Sequence, residues 1–110
     1  MAGVGAMTSE ANIMNACMVA LSQAGCLIWR NNVGAWKDPS GRVIRYGVGG
    51  TGGSDLLGVA KDGRFLAIET KTKTGRVRPE QLTFIAAVQK AGGRAGVARS
   101  VADALKIALD

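Results

Sequence analysis

Apolar residues at Ile13, Met14, Cys17, Leu21 and Ala24 recur at three- and four-residue steps. This spacing predicts an amphipathic helix from about Ser9 to Ala24, with Gly25 as its stop. The same stripe, projected back from Ile13 and Cys17, brings Glu10 onto the apolar face at the helix start. A first-turn glutamate is also favoured by the helix dipole while still reaching water, so both readings of Glu10 stand. Cys26–Asn32 and Arg42–Tyr46 predict two strands, forming a hairpin or meander around the turn material Trp36-Lys37-Asp38-Pro39-Ser40-Gly41. Five glycines between Gly47 and Gly53 lead through Ser54 and Asp55 into the apolar run 56–60. The Asp62-Gly63 pair predicts a tight hairpin to an antiparallel strand over 65–71. Pro79 suits the first turn of a helix that carries Leu82, Ile85 and Val88 to Ala91, with Gly92-Gly93 ending it. Arg94–Arg99 is a last strand, and Ser100 caps a helix to about Leu109. The order α-β-β-β-β-α-β-α predicts one α/β domain over residues 1–110, a mixed sheet flanked by helices whose last strand joins by a helical crossover. Residues 1–8 are expected to form a flexible N-terminus.

Strand alternation puts Phe65, Ala67, Glu69 and Lys71 on one face, so an apolar start ends in a carboxylate and an ammonium. Asp55 lies seven residues before Asp62 and Glu69 six after Gly63, which sets the two carboxylates nearly opposite across the hairpin. Two carboxylates that close repel unless a cation sits between them. Mg²⁺ or Mn²⁺ suits such a site: a hard ion that accepts one or two protein carboxylates leaves positions for water and phosphate oxygens. Lys71 beside it can orient a water and offset charge developing on a phosphate, which is the equipment of a phosphodiesterase. Glu-x-Lys alone is a weak signal, with about 0.4 chance matches in a chain this long. The glycine loop, the hairpin and Gln81 supply the context. Gln81 shares a helix face with Ile85 and Val88 and is aimed at the sheet end.

Composition narrows the chemistry further. The 110 residues contain no histidine, which removes Ser-His-Asp and Cys-His triads, histidine zinc sites and imidazole-based nucleases. Fourteen Lys and Arg against eight Asp and Glu give a net charge of +6 and point to an anionic partner such as nucleic acid. Cys17 and Cys26 in apolar surroundings, with no signal-peptide pattern at the start, predict a reducing, cytoplasmic setting. No apolar run approaches the roughly 20 residues of a membrane span.

Four segments carry a family resemblance: Asn31-Asn32-Val33-Gly34, Gly52-Gly53-Ser54-Asp55-Leu56-Leu57-Gly58, Ile68-Glu69-Thr70-Lys71 and Arg78-Pro79-Glu80-Gln81. Together they resemble the VRR-NUC domain, a virus-type branch of the PD-(D/E)XK nuclease superfamily, over about residues 9 to 100. The resemblance implies a restriction-endonuclease-like core and a metal-dependent DNA endonuclease. Asp55, Glu69 and Lys71 would form its metal and catalytic core, Gln81 would support it, and Glu10 and the Thr70 carbonyl would be further metal ligands. It also implies a phage or prophage protein that acts in the bacterial host as a homodimer and cuts branched DNA such as Holliday junctions. Ser54 stands where the superfamily name has proline, a position that varies among members.

Gly47-Val48-Gly49-Gly50-Thr51-Gly52 fits G-x-G-x-x-G, but a strand follows it where a dinucleotide fold needs a helix, so no nucleotide cofactor is expected. The loop amides either meet a DNA phosphate or simply give the backbone freedom. Arg30, Asn31, Asn32, Lys73, Arg76 and Arg78 are candidates for phosphate contacts or for solvated surface. Trp29 and Trp36 are expected in the core more often than stacked on bases. Two rival readings remain: a basic nucleic-acid-binding module without catalysis, and a structural subunit in which Asp55, Glu69 and Lys71 form a buried ion-pair cluster.

Overall fold

In the computed structural model of the chain, residues 9–110 are described, and the expectation for residues 1–8 lies outside them. The first helix, α1 (Glu10–Gln23), starts at Ser9, whose hydroxyl accepts from the Asn12 N–H at 3.1 Å. Gly25, with φ at 96°, turns the chain out of the helix. The strands are β1 (Leu27–Arg30), β2 (Gly34–Lys37), β3 (Val43–Tyr46), β4 (Leu56–Val59), β5 (Phe65–Thr70) and β6 (Arg94–Ala98). Between β5 and β6 runs α2 (Pro79–Lys90), and α3 (Val101–Leu109) follows β6. Among the described residues no helix is long and apolar enough to cross a membrane.

Four strands form one mixed sheet in the order β1-β4-β5-β6. β4 is antiparallel to both β1 and β5, whereas β6 runs parallel to β5 through the α2 crossover. Period-two alternation then divides the core. Leu56, Leu66 and Ile68 point to one side, where Ile13, Met14, Cys17 and Leu21 of α1 and Ala104 and Ala108 of α3 cover them. Leu57, Ala67 and Ala95 point to the other, against Ile85 and Val88 of α2. Each fully buried Leu or Ile contributes about 1.5–3 kcal/mol. Burial on both faces explains why β4 and β5 read as continuous apolar runs. The Asp62-Gly63 hairpin forms as expected, with Gly63 at φ 89°.

The region between β1 and β4 departs from expectation. Gly34–Lys37, read from sequence partly as turn material, is a strand, so five strands precede α2 where four were expected. β3 pairs with β2 in a separate two-stranded ribbon, not with β1. Turn chemistry explains the difference: Asp38 Oδ1 accepts from the N–H groups of Ser40 and Arg42 and from the Ser40 hydroxyl. Pro39 and Gly41 complete a tight reversal, which ties β2 to β3 and leaves β1 free to join β4. Both tryptophans are more exposed than expected, Trp29 at 43% and Trp36 at 54%. They sit on an edge strand and on the ribbon, where no second layer covers them.

Candidate active site

The β4–β5 register pairs Leu56 with Ile68, so one step outward Asp55 faces Glu69. Asn31 holds the approach to Asp55. Its side-chain amide donates to the carbonyls of Val48 and Ser54, both at 2.9 Å, and its Oδ1 accepts from the Val48 N–H. Its backbone N–H donates to the Asp55 carbonyl at 2.7 Å. The glycine loop is thereby latched to β1, and the Asn31 amide, a sequence candidate for phosphate contact, is committed to the backbone instead. Asp55 Oδ2 accepts both the N–H of Thr70, at 3.0 Å, and its hydroxyl, at 2.8 Å.

Glu69 is the penultimate residue of β5, a strand flanked by β4 and β6 and covered by the start of α2, and it is only 1% exposed. Its Oε2 accepts from Gln81 Nε2 at 2.9 Å and lies 3.5 Å from the Lys71 ammonium. Gln81 Oε1 accepts from the Arg78 N–H at 2.9 Å, so the helix N-terminus turns the amide NH₂ toward Glu69. Lys71 is itself 8% exposed. The other Glu69 oxygen, Oε1, is buried with no hydrogen-bond partner. Burial, and secondly the charge of Asp55, push the Glu69 carboxyl up from 4.5 to about 7, with Lys71 opposing.

Glu10, from the exposed first turn of α1, completes the group. Glu10, Asp55 and Glu69 each offer a carboxylate oxygen, and these oxygens all lie within 4.8 Å of one another. Glu10 is exposed, as the first-turn reading has it and not buried on the apolar face, yet its carboxylate still comes near the other two. An oxygen-only donor set of this kind fits a hard divalent cation. The unpartnered Glu69 Oε1 also fits, since a buried carboxylate oxygen without a donor is costly until a cation or donor meets it. Asp55 accepts both its hydrogen bonds on Oδ2.

A family model, that of the VRR-NUC domain, matches residues 9–102, nearly the whole chain. The chain belongs to the VRR-NUC family. Membership brings a nuclease-type function, and hence a DNA substrate. No curated protein and no solved structure matches the chain.

Beside the carboxylates the VRR-NUC domain carries an open cleft of about 680 Å³, lined by Arg30, Asn32, Arg45, Tyr46, Asp55, Arg78 and Gln81 among others. Of the basic and amide residues expected to grip DNA, Arg30, Asn32 and Arg78 thus border the same cleft as Asp55. Lys73 and Arg76 are exposed on the segment after Lys71, and Lys73 lines a separate hollow with Thr72 and Arg99. Several contributors were missed in the sequence. Thr70 orients Asp55 through its hydroxyl, a contact that the alternation of β5, which turns Thr70 away from the Glu69 and Lys71 face, does not point to. Arg99 braces the turn after Lys71 by donating to the carbonyls of Thr72, at 2.6 Å, and Gly75, at 2.8 Å. Arg45 and Tyr46 reach the cleft because the ribbon folds beside it, and their spacing carries no signal for that.

Proposed function

We propose that this VRR-NUC domain is a metal-dependent, structure-selective DNA endonuclease with PD-(D/E)XK chemistry. It hydrolyses phosphodiester bonds in branched DNA such as four-way junctions. The observation that carries this reading is the meeting of three carboxylates around a buried, unpartnered Glu69 oxygen, with the Lys71 ammonium alongside. A cluster serving only stability would gain little from Asp55 facing Glu69, since like charges at that distance destabilise each other.

Asp55 and Glu69 would hold Mg²⁺ or Mn²⁺, with Glu10 and the Thr70 carbonyl as further ligands. When bound, such an ion supplies Lewis acidity toward a phosphodiester and activation of water at neutral pH. The protein's own groups do the positioning. Thr70 holds one oxygen of Asp55, and Gln81 holds one oxygen of Glu69. Lys71, fixed by its ion pair, presents a positive charge where negative charge develops on the phosphate, and low exposure strengthens that interaction. Arg30, Asn32 and Arg78 would bind the DNA backbone along the cleft, with Lys73 and Arg76 extending that contact.

Action as a homodimer is supported by an apolar row across the sheet face that α2 leaves open. Leu27 pairs with Val59, and Val59 with Phe65, and all three side chains are exposed. Light scattering that gives a monomer mass at working concentration would refute the dimer. The function is tested by incubating labelled four-way, flap and linear duplex DNA with the protein, with and without Mg²⁺ or Mn²⁺. Metal-dependent nicking, strongest on the branched substrates and absent in Asp55→Ala, is expected. Equal nicking by wild type and Asp55→Ala would sink the proposal.

A further inference from the structure

The β2–β3 ribbon is the part of the chain that the cleavage chemistry does not use. No residue from Gly34 to Tyr46 is buried. An isolated two-stranded ribbon is marginal in water, and this one exposes Trp36 at 54% and Tyr46 at 49%. Its register sorts the side chains by face. Trp36 opposes Ile44 and Gly34 opposes Tyr46, so the aromatics share one face. Ala35 opposes Arg45 and Lys37 opposes Val43, so the two cations share the other. Gly34 lets the Tyr46 ring lie across the ribbon, since a Cβ there would meet the ring at 2.6 Å. The ribbon's acid, Asp38, is taken up within the turn by Ser40 and Arg42. Lys37 and Arg45 have no ion-pair partner among the described residues. Arg45 and Tyr46 also line the cleft that holds Asp55, so the ribbon continues the wall of the candidate active site.

We propose that the β2–β3 ribbon is a DNA-binding arm: its Trp36–Tyr46 face stacks on unpaired bases, and its Lys37–Arg45 face holds phosphates. The proposal rests on the nuclease reading for the identity of the partner. Aromatic rings on one face and unpaired cations on the other match single-stranded nucleic acid, whose bases stack and whose backbone is anionic. A second copy of the chain fits less well. Two copies packed through the Trp36–Tyr46 face would leave Lys37 and Arg45 on the outer faces without a counter-charge, whereas a nucleic acid supplies partners to both faces. Unpaired bases occur at branch points and single-stranded ends, so the arm would favour branched DNA over intact duplex at a position close to the carboxylates.

Trp29→Phe leaves Trp36 as the sole tryptophan, and its fluorescence reports the arm directly. In EDTA, where no cleavage occurs, a four-way junction with unpaired bases at its centre should quench Trp36 strongly, and a linear duplex of equal length only weakly. Trp36→Ala should weaken junction binding by about tenfold or more, with Trp36→Phe restoring most of it. Arg45→Gln should lower the slope of log affinity against log salt by about one. Quenching without cleavage on adding Mg²⁺ would support the arm while sinking the nuclease reading. Normal cleavage and junction affinity in Trp36→Ala, with no quenching, would overturn the arm alone. A Trp36 emission maximum that shifts to shorter wavelength with rising protein concentration in the absence of DNA would assign the ribbon to a second copy and overturn the proposal.

Discussion

The sheet end and the ribbon stand side by side and are built on opposite terms. At the sheet end, Ser54, Glu69, Thr70, Lys71 and Gln81 are buried, and among their side chains only the Ser54 hydroxyl and one Glu69 oxygen have no neighbour to hold them. In the ribbon nothing is buried, and aromatic and cationic side chains face solvent. The difference shows where the fold invests its rigidity. Carboxylates that must stay close despite repulsion need strands on both sides and a helix above them, because a loose scaffold would let them separate. A surface that meets an irregular nucleic acid needs reach and adaptable contacts, and a ribbon tethered at its base supplies both.

The same substitution made in each region should break this comparison if it is wrong. In β4, a Cβ added at Gly58 would run into the Leu27 carbonyl and come within 3.0 Å of the Ile28 Cα, backbone that cannot move without unpairing β1. Gly58→Ala should therefore cost about 3 kcal/mol or more, read as a lower urea midpoint with unchanged slope.

Next in size is the response to pH. Glu69, raised from 4.5 to about 7, holds its proton more tightly in the folded chain than in the unfolded one. In metal-free protein its contribution to stability is complete below a pH of about 4.5 and is lost as the pH rises through about 7. The melting temperature should therefore fall across that window relative to Glu69→Gln, which has no carboxyl to titrate. Metal binding has the opposite slope, since it requires the ionised form. Mn²⁺ affinity should rise about tenfold per pH unit up to about 7. An affinity that stays flat over that range would contradict the assignment of Glu69 as a ligand.

The smallest effect is expected in the ribbon. Gly34→Ala meets the Tyr46 ring, a side chain free to swing into solvent. It should change stability by less than about 1 kcal/mol while altering DNA binding. A loss as large as that of Gly58→Ala would mean that the ribbon is part of the packed body.

The sheet end was legible in the sequence because its determinants are local. The Asp62-Gly63 turn fixes a register, and alternation along β5 then places Glu69 and Lys71 on one face and opposite Asp55. Projecting the Ile13–Cys17 stripe brought Glu10 to the right end of the helix but put it on the buried face, whereas it is exposed in the first turn and near Asp55 and Glu69. The ribbon was not legible. Its strands are four residues each, and nothing in Gly34–Lys37 distinguishes a strand from the turn that follows. Asn31 was misread for a related reason: an amide beside basic residues looks like a phosphate contact, and its tie to Val48 spans 17 residues that no periodicity connects. Trp29 and Trp36 were expected in the core from residue type alone, but strand order decides which positions lie at an edge, and it leaves both exposed.

On the proposed function, the buried Lys71 serves chemistry and is not required to hold the fold. Removing Lys71 would ordinarily strand the buried Glu69 charge, but a carboxyl already near 7 can take up a proton instead. The most direct test measures Lys71→Ala twice at neutral pH, by thermal melting without metal and by cleavage of a four-way junction with Mn²⁺. A melting temperature within about 5 °C of wild type, with cleavage reduced by about a thousandfold, is the expected result. A collapse of the melting temperature, or cleavage that survives the substitution, would contradict the claim.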